Sequence, residues 1–343
     1  MHSASLSLSV SVLLTFISFK ASALYDVVDP GAVFSDATCE AYAINRKGTV
    51  VGLCRTNLGI RAFLWSEDRG SIDLSLVLGD VSAAAYGIND SEEVVGQMVT
   101  QGGYWHAFLW SDARGTVDLG TFEGGMNSCA LGINNSSVVA GCSDLGGPVR
   151  GTCRTFGNNL FHAFVWQESS GMQDLGTLGG PYSEASAIND VGQLVGWSAL
   201  SPGVFRPFVY DDEGGMQPLE GATGNFSKAY AINSFGQIVG LMDYAPFLYD
   251  NSGLQYLAPQ GVATGINDVS VVVGQRQDAL GHNNAYVYSG GEWTELSTLV
   301  TPPNSCRRYL LLANGLNDNG LIVGQGYCHG ISQARAFVMI PVE

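Results

Sequence analysis

Positive charge is scarce in this chain: 15 Lys and Arg stand against 31 Asp and Glu in 343 residues, a formal net charge of −16. That shortage excludes partners held by their phosphates, because binding to nucleic acid or to an anionic membrane is driven by basic surface. Neutral or cationic ligands remain compatible with it. Charged residues of either sign reach only 13%. No G-x-S-x-G elbow, H-E-x-x-H pair or phosphate-binding loop occurs, so the common hydrolase, metalloprotease and nucleotide signatures are missing. No C-x-x-C occurs either, and no zinc site or other cofactor is expected. Beyond the first 23 residues no apolar run is long enough to span a bilayer.

Those 23 residues read as a secretory signal. LSLSVSVLLTFISF is too short to span, ends at Lys20, and is followed by Ala21-Ser22-Ala23, an A-x-A cleavage site before Leu24. Residues 24–343 are expected to form one domain of a secreted protein, extracellular or periplasmic. What this stretch has in abundance is glycine, 45 residues in all. Glycine is costly in helices and useful in tight turns, which points to an all-β fold.

The string [AG]-[IL]-N-x4-[VLI]-[VA]-G occurs seven times, at Asn45, Asn89, Asn134, Asn189, Asn233, Asn267 and Asn317. Each copy is followed by an aromatic-rich run, such as RAFLW (61–65), HAFLW (106–110) and HAFVW (162–166), and then by a third run such as GSIDL (70–74), GTVDL (115–119) or GMQDL (171–175). Six copies have this third run; the counterpart for the seventh is LYDVVDPG (24–31). Four strands per unit follow: a leading into Ile-Asn, b through Val-Val-Gly, c through Ala-Phe, and d through Asp-Leu. Units near 45 residues with four short strands make propeller blades. The expectation is an all-β, seven-bladed β-propeller of four-stranded blades, its ring closed by the N-terminal strand completing the last blade. An open solenoid would leave the split seventh unit unexplained.

Ala stands four residues before every Asn, and Ala or Gly two before. Both are expected on the Asn's strand face, crowded toward the axis. The Asn should open a turn that its own side chain caps. The Gly seven residues later should allow a bulge or a close backbone approach.

The combination of DLGTLGG, S-x-A-x-A-I-N-D-x-G-Q-x-V-G and HAF-[LV]-W resembles the extracellular HAF-repeat proteins, named for His-Ala-Phe. The resemblance covers nearly the whole of 24–343 and is strongest in 162–197. It implies export and a repeat architecture, and no reaction.

Cys39 and Cys54 are centred on the same point of their Asn turn as Cys129 and Cys142 are on theirs. Both pairs are expected to be cross-strand neighbours at disulfide distance. Cys306 and Cys328 flank the last hairpin at another offset, where a loop-to-loop bridge is plausible, and Cys153 is left over.

In a propeller the b–c and d–a links share one face, and function concentrates in variable loops there. The residues on that face that repetition does not explain are Tyr104, Trp105, Arg150, Arg154, Trp197, His282, Tyr327, His329, Arg307 and Arg308. His106 and His162 occupy a position that also takes Arg, Asn and Ala, so they read as a blade-surface slot. Asp73, Asp118 and Asp174 also read as structural, and Asp90, Asp190, Asp268 and Asp318 as turn chemistry. The favoured function is a non-catalytic propeller binding a glycan or an extracellular protein, with Tyr104, Trp105 and Trp197 as stacking surface. The alternative is a polysaccharide lyase. There Arg150, Arg154 or Arg307 would neutralise a uronate, and His282 or His329 with Tyr327 would move the proton.

Overall fold

The computed structural model describes residues 24–146, 160–278, 280–301, 309–327 and 332–342. Each repeat forms one four-stranded antiparallel sheet, and seven such sheets make a β-propeller. In blade 1, strands a to d are Thr38–Ile44, Val50–Thr56, Gly59–Ser66 and Gly70–Asp73. Blades 2 to 6 repeat this order over 83–120, 128–174, 183–218, 227–256 and 262–295. Blade 7 takes a to c from Tyr309–Leu316, Ile322–Tyr327 and Arg335–Pro341. Its strand d is Tyr25–Val28, antiparallel to strand c, with Tyr25 opposite Pro341 and Val28 opposite Val338. Arg335 fastens this closure. Its side chain, 3% exposed, pairs with Asp29 at 2.8 Å and donates to the carbonyls of Gly31, Phe34 and Ala37.

The repeated Asn closes each a–b turn as expected. Its Oδ1 accepts the backbone N–H four residues on, as at Asn45 from Thr49 (2.9 Å) and at Asn317 from Leu321 (3.0 Å). The third residue beyond each Asn is left-handed: Gly48 has φ 84°, and Glu92, Ser137 and Ser270 hold the same position at 60°, 61° and 61°. The sequence did not disclose what the other end of the amide does. Every Asn Nδ2 donates to the backbone carbonyl of the next blade's Asn, at 3.0 to 3.2 Å, until Asn317 reaches Asn45.

The expectation for the small residues needs correction. Strand a bulges in all seven blades between the Ala four before the Asn and the Ala or Gly two before it. A bulge breaks alternation, so the two small residues do not share a face. Ala41, Ala85, Ala130, Ala185, Ala229, Ala263 and Ala313 are wholly buried, while Ala43, Gly87, Gly132, Ala187, Ala231, Gly265 and Gly315 line the axis. The Gly of strand b sits against the bulged strand. A Cβ there would stand 1.9 to 2.2 Å from a strand-a carbonyl oxygen in every blade. The strand-c aromatic fills the same spot from the other side, Phe63 against Gly52 and Phe164 against Gly141. Phe63, Phe108, Phe164, Phe208 and Phe247 are fully buried and anchor the packing between blades.

Two outcomes are expected. Asn189→Asp keeps the acceptor for Gln193 but sets a carboxylate oxygen where the amide donates to the Asn233 carbonyl. It should cost about 1–3 kcal/mol, read by urea unfolding at neutral pH. Tyr25 is 1% exposed, and burial pushes its phenol up to about 12. The fold favours the neutral ring, so this stabilisation is present below pH about 10, where an unfolded tyrosine ionises. It is lost as pH climbs toward about 12. Circular dichroism along an alkaline titration should show the loss in that window, with Tyr25→Phe moving the midpoint upward.

Candidate functional site

A waist of Ile44, Ile88, Ile133, Ile188, Ile232, Ile266 and Leu316, the residue before each Asn, divides the axis into two hollows. On the a–b face the hollow is small, about 180 Å³, and is lined by the seven Asn and the residues after them. Asp90, Asp268 and Asp318 do more here than cap a turn. Asp90 Oδ1 accepts the backbone N–H of Arg46, Asp268 Oδ1 that of Ser234, and Asp318 Oδ1 that of Asp268, each from the preceding blade at 2.9 Å. Asp190 does the same for Asn135 at 2.9 Å. The Arg46 guanidinium crosses the mouth to Asp268 at 3.0 Å and Asp318 at 3.2 Å, with Asp90 at 3.9 Å. Desolvation would lower its pKa, but those three carboxylates outweigh it and raise it. Arg46 thereby spans this end of the axis and ties three blades, its side chain still 54% exposed.

The other end is open. On the face of the b–c and d–a links lies a cup of about 1040 Å³. The residue extruded by each bulge faces it, three before the Asn, together with several residues five before the Asn. Blades 1 and 2 contribute Tyr42 and Tyr86, edge to face at 5.0 Å. The Tyr42 hydroxyl donates to Glu40 at 2.8 Å, and Asn314 donates to the same carboxylate at 3.1 Å. Blades 4 and 5 contribute Glu184, Ser186, Trp197, Lys228 and Tyr230. Trp197 Nε1–H donates to Glu184 at 2.9 Å, and the Lys228 ammonium lies 3.8 Å over the indole. Ser186 Oγ is shielded from solvent with no hydrogen-bond partner among the described residues.

Of the residues singled out from sequence, Trp197 lines this cup, though it is only 7% exposed with Lys228 across its ring. It braces the wall. Tyr104 and Trp105 are not among the lining residues; the Trp105 backbone N–H donates at 3.2 Å to Asn127, just ahead of strand a of blade 3. His282 pairs with Asp278 of its own loop at 3.1 Å, its side chain 70% exposed. Tyr327 stands opposite Tyr309 at the end of strand b in blade 7. Neither His282 nor Tyr327 lines the cup. Arg150, Arg154, Arg307, Arg308 and His329 lie outside the described residues, as do Cys153, Cys306 and Cys328.

The His-Ala-Phe slot has a partner in strand d. His106 meets Asp118 at 2.9 Å and His162 meets Asp174 at 2.9 Å, while Arg61 meets Asp73 at 2.7 Å. Burial raises the Asp118 pKa, but hydrogen bonds from His106 and the Gly120 backbone leave it lowered overall. These are cross-strand clasps. Where strand d carries Pro218 instead, Arg206 turns to the Gly224 and Thr223 carbonyls.

Cys39 and Cys54 are joined as the register predicts. The second predicted pair is not formed. Cys129 and Cys142 do stand opposite each other, yet Cys142 is a free buried thiol and Cys129 is disulfide-bonded elsewhere. Register brings sulfurs together, but a sulfur makes one disulfide and a third cysteine can claim it. Burial pushes the Cys142 thiol well up, with Glu184 and Asp144 adding to the effect, so little of it is the reactive thiolate. Iodoacetamide at pH 8 should leave Cys142 unmodified in the folded protein and label it once denaturant is added, as peptide mass mapping would show. Labelling in the folded state would contradict its burial.

The ring of seven four-stranded blades, with a small hollow at one end of its axis and a wide one at the other, defines a β-propeller with an axial cup. Solved structures of similar fold include a puromycin-hydrolysing peptidase of Mycobacterium tuberculosis, at a TM-score of 0.60 and 10% identity. The match covers 94% of this chain and 55% of that one. An acylaminoacyl peptidase of Pyrococcus horikoshii matches at a TM-score of 0.53 and 12% identity, over 90% of this chain and 53% of that one. The chain thus spans about half the length of each, and the likeness is one of fold. No family model matches the chain, and no curated protein matches it.

Proposed function

We propose that this chain is an exported, non-catalytic binding propeller of the HAF-repeat type that takes a glycan into its axial cup. The observation that carries the reading is the cup itself, open on the face of the variable links and walled by Tyr42, Tyr86, Phe161 and Tyr230. A concave site with aromatic walls and a few convergent polar groups is the usual form of a ligand pocket. Here those polar groups are Glu40, Glu184, Ser186, Lys228, Thr264 and Asn314. The net charge of −16 favours a neutral ligand over an acidic one. Export rests on the leader-like residues 1–23, and the disulfide Cys39–Cys54 suits an oxidising compartment.

The test is calorimetric titration of residues 24–343 with a panel of neutral and acidic oligosaccharides. Saturable binding of a neutral sugar without turnover is expected. Tyr230→Leu and Glu184→Gln should each weaken it about tenfold or more, the scale of one lost buried contact. Binding untouched by both substitutions would place the site elsewhere, and product formation would make the protein an enzyme.

A further inference from the structure

Blade 5 departs from its neighbours on the open face. Its b–c hairpin runs from Gly240 to Phe247 in the ladder, whereas the hairpin of blade 4 runs from Gly196 to Phe208. The wall of the cup is therefore cut down at one blade, leaving a notch. An aromatic row leads to that notch. Tyr182, Phe161, Trp197, Phe205, Phe226 and Tyr244 follow one another with ring centroids 5.2, 5.8, 5.2, 5.8 and 6.1 Å apart. Phe161 and Trp197 line the cup. Tyr244, at the other end, is 70% exposed and lies within 17° of parallel to Phe226.

The turn that presents Tyr244 is held in an uncommon conformation. Asp243 and Tyr244 have φ of 45° and 70°, the left-handed region that costs an ordinary side chain free energy. Asp243 maintains it by accepting the N–H groups of Asn225 and Phe226, each at 2.9 Å. The Tyr244 carbonyl accepts from Gly261 at 2.9 Å. An exposed aromatic ring on a strained, clamped turn, at the shortest b–c hairpin of the seven blades counted from the strand-b Gly to its partner in strand c, is a surface kept for contact.

Resting on the cup reading, we infer that the notch is an exit path: the ligand is a chain, a neutral linear oligosaccharide, with one end in the cup and further sugars stacked on Tyr244. The chemistry favours sugar over peptide. A peptide recognised by strand addition needs a free strand edge, and strands b and c of blade 5 are each paired on both sides. A pyranose ring offers an apolar face to an aromatic ring and hydroxyls to its polar surroundings, here Lys228 and Glu184. The acidic chain disfavours a polyanion.

The experiment is a length series. Neutral linear oligosaccharides from one to six sugars, drawn from glucan, mannan and xylan, are titrated calorimetrically into residues 24–343. Affinity should rise with length. Tyr244→Asn removes the ring while tolerating the left-handed turn. It should abolish that rise, about tenfold at the long end, and leave the shortest binding sugar unaffected. Tyr244→Trp should retain the rise. Affinity independent of length, or an equal loss at every length in Tyr244→Asn, overturns the exit path while leaving the cup reading intact. Failure of every sugar to bind, or binding of peptides in their place, overturns both.

Discussion

Everything about the axis depends on one side chain used at both ends. The repeated Asn spends its oxygen on its own turn and its amide on the next blade's carbonyl, so local and ring-wide order are the same interaction. The amides are buried at 4 to 6% exposure, where an unmet donor is expensive. A blade cannot rotate about its inner edge without breaking two links, one to each neighbour. In four blades a carboxylate one residue on repeats the logic further out by accepting the preceding blade's backbone N–H, and Arg46 draws three of these carboxylates together.

Much of this was legible as sequence, because the repeat samples each structural position seven times. The blade count, the split last blade and the Cys39–Cys54 register all follow from spacing alone. The strand-a bulge did not follow, since alternation assumes a regular strand and a bulge leaves no residue type of its own. Its trace was present all the same. Between the fixed Ala and the fixed Ala or Gly stands a position that reads Tyr42, Tyr86, Leu131, Ser186, Tyr230, Thr264 and Asn314. A variable residue between two fixed small ones marks a side chain turned out of the packing. It lies in a strand, away from the long links where function usually concentrates. The Cys129–Cys142 pairing failed for a different reason: register reports proximity, and bonding depends on which other sulfurs arrive.

The two ends of the axis thus divide the work between specification and variation. At the a–b end the same Asn clasp recurs in every blade, and the freedom to differ is confined to the residues around it. At the other end each blade contributes its extruded residue to a common wall, and the residue type changes from blade to blade. Several of these side chains also brace the next blade, Tyr42 against Tyr86 and Asn314 on Glu40. The Trp197–Glu184–Lys228 group shows how such a wall is stiffened, an indole fixed by a hydrogen bond at its edge and a cation over its face.

The closing strand has a kinetic consequence. Tyr25 pairs with Pro341, so the first strand of the domain has no partner until nearly the whole chain has been made. During that interval strand c of blade 7 does not exist, and Tyr25–Val28 is an apolar strand with both edges unmet. Such a segment has to stay extended and unpaired until the last strand arrives. Ring closure joins the two ends of the domain by pairing residues more than 300 apart in sequence, the kind of non-local contact whose loop-closure entropy slows folding.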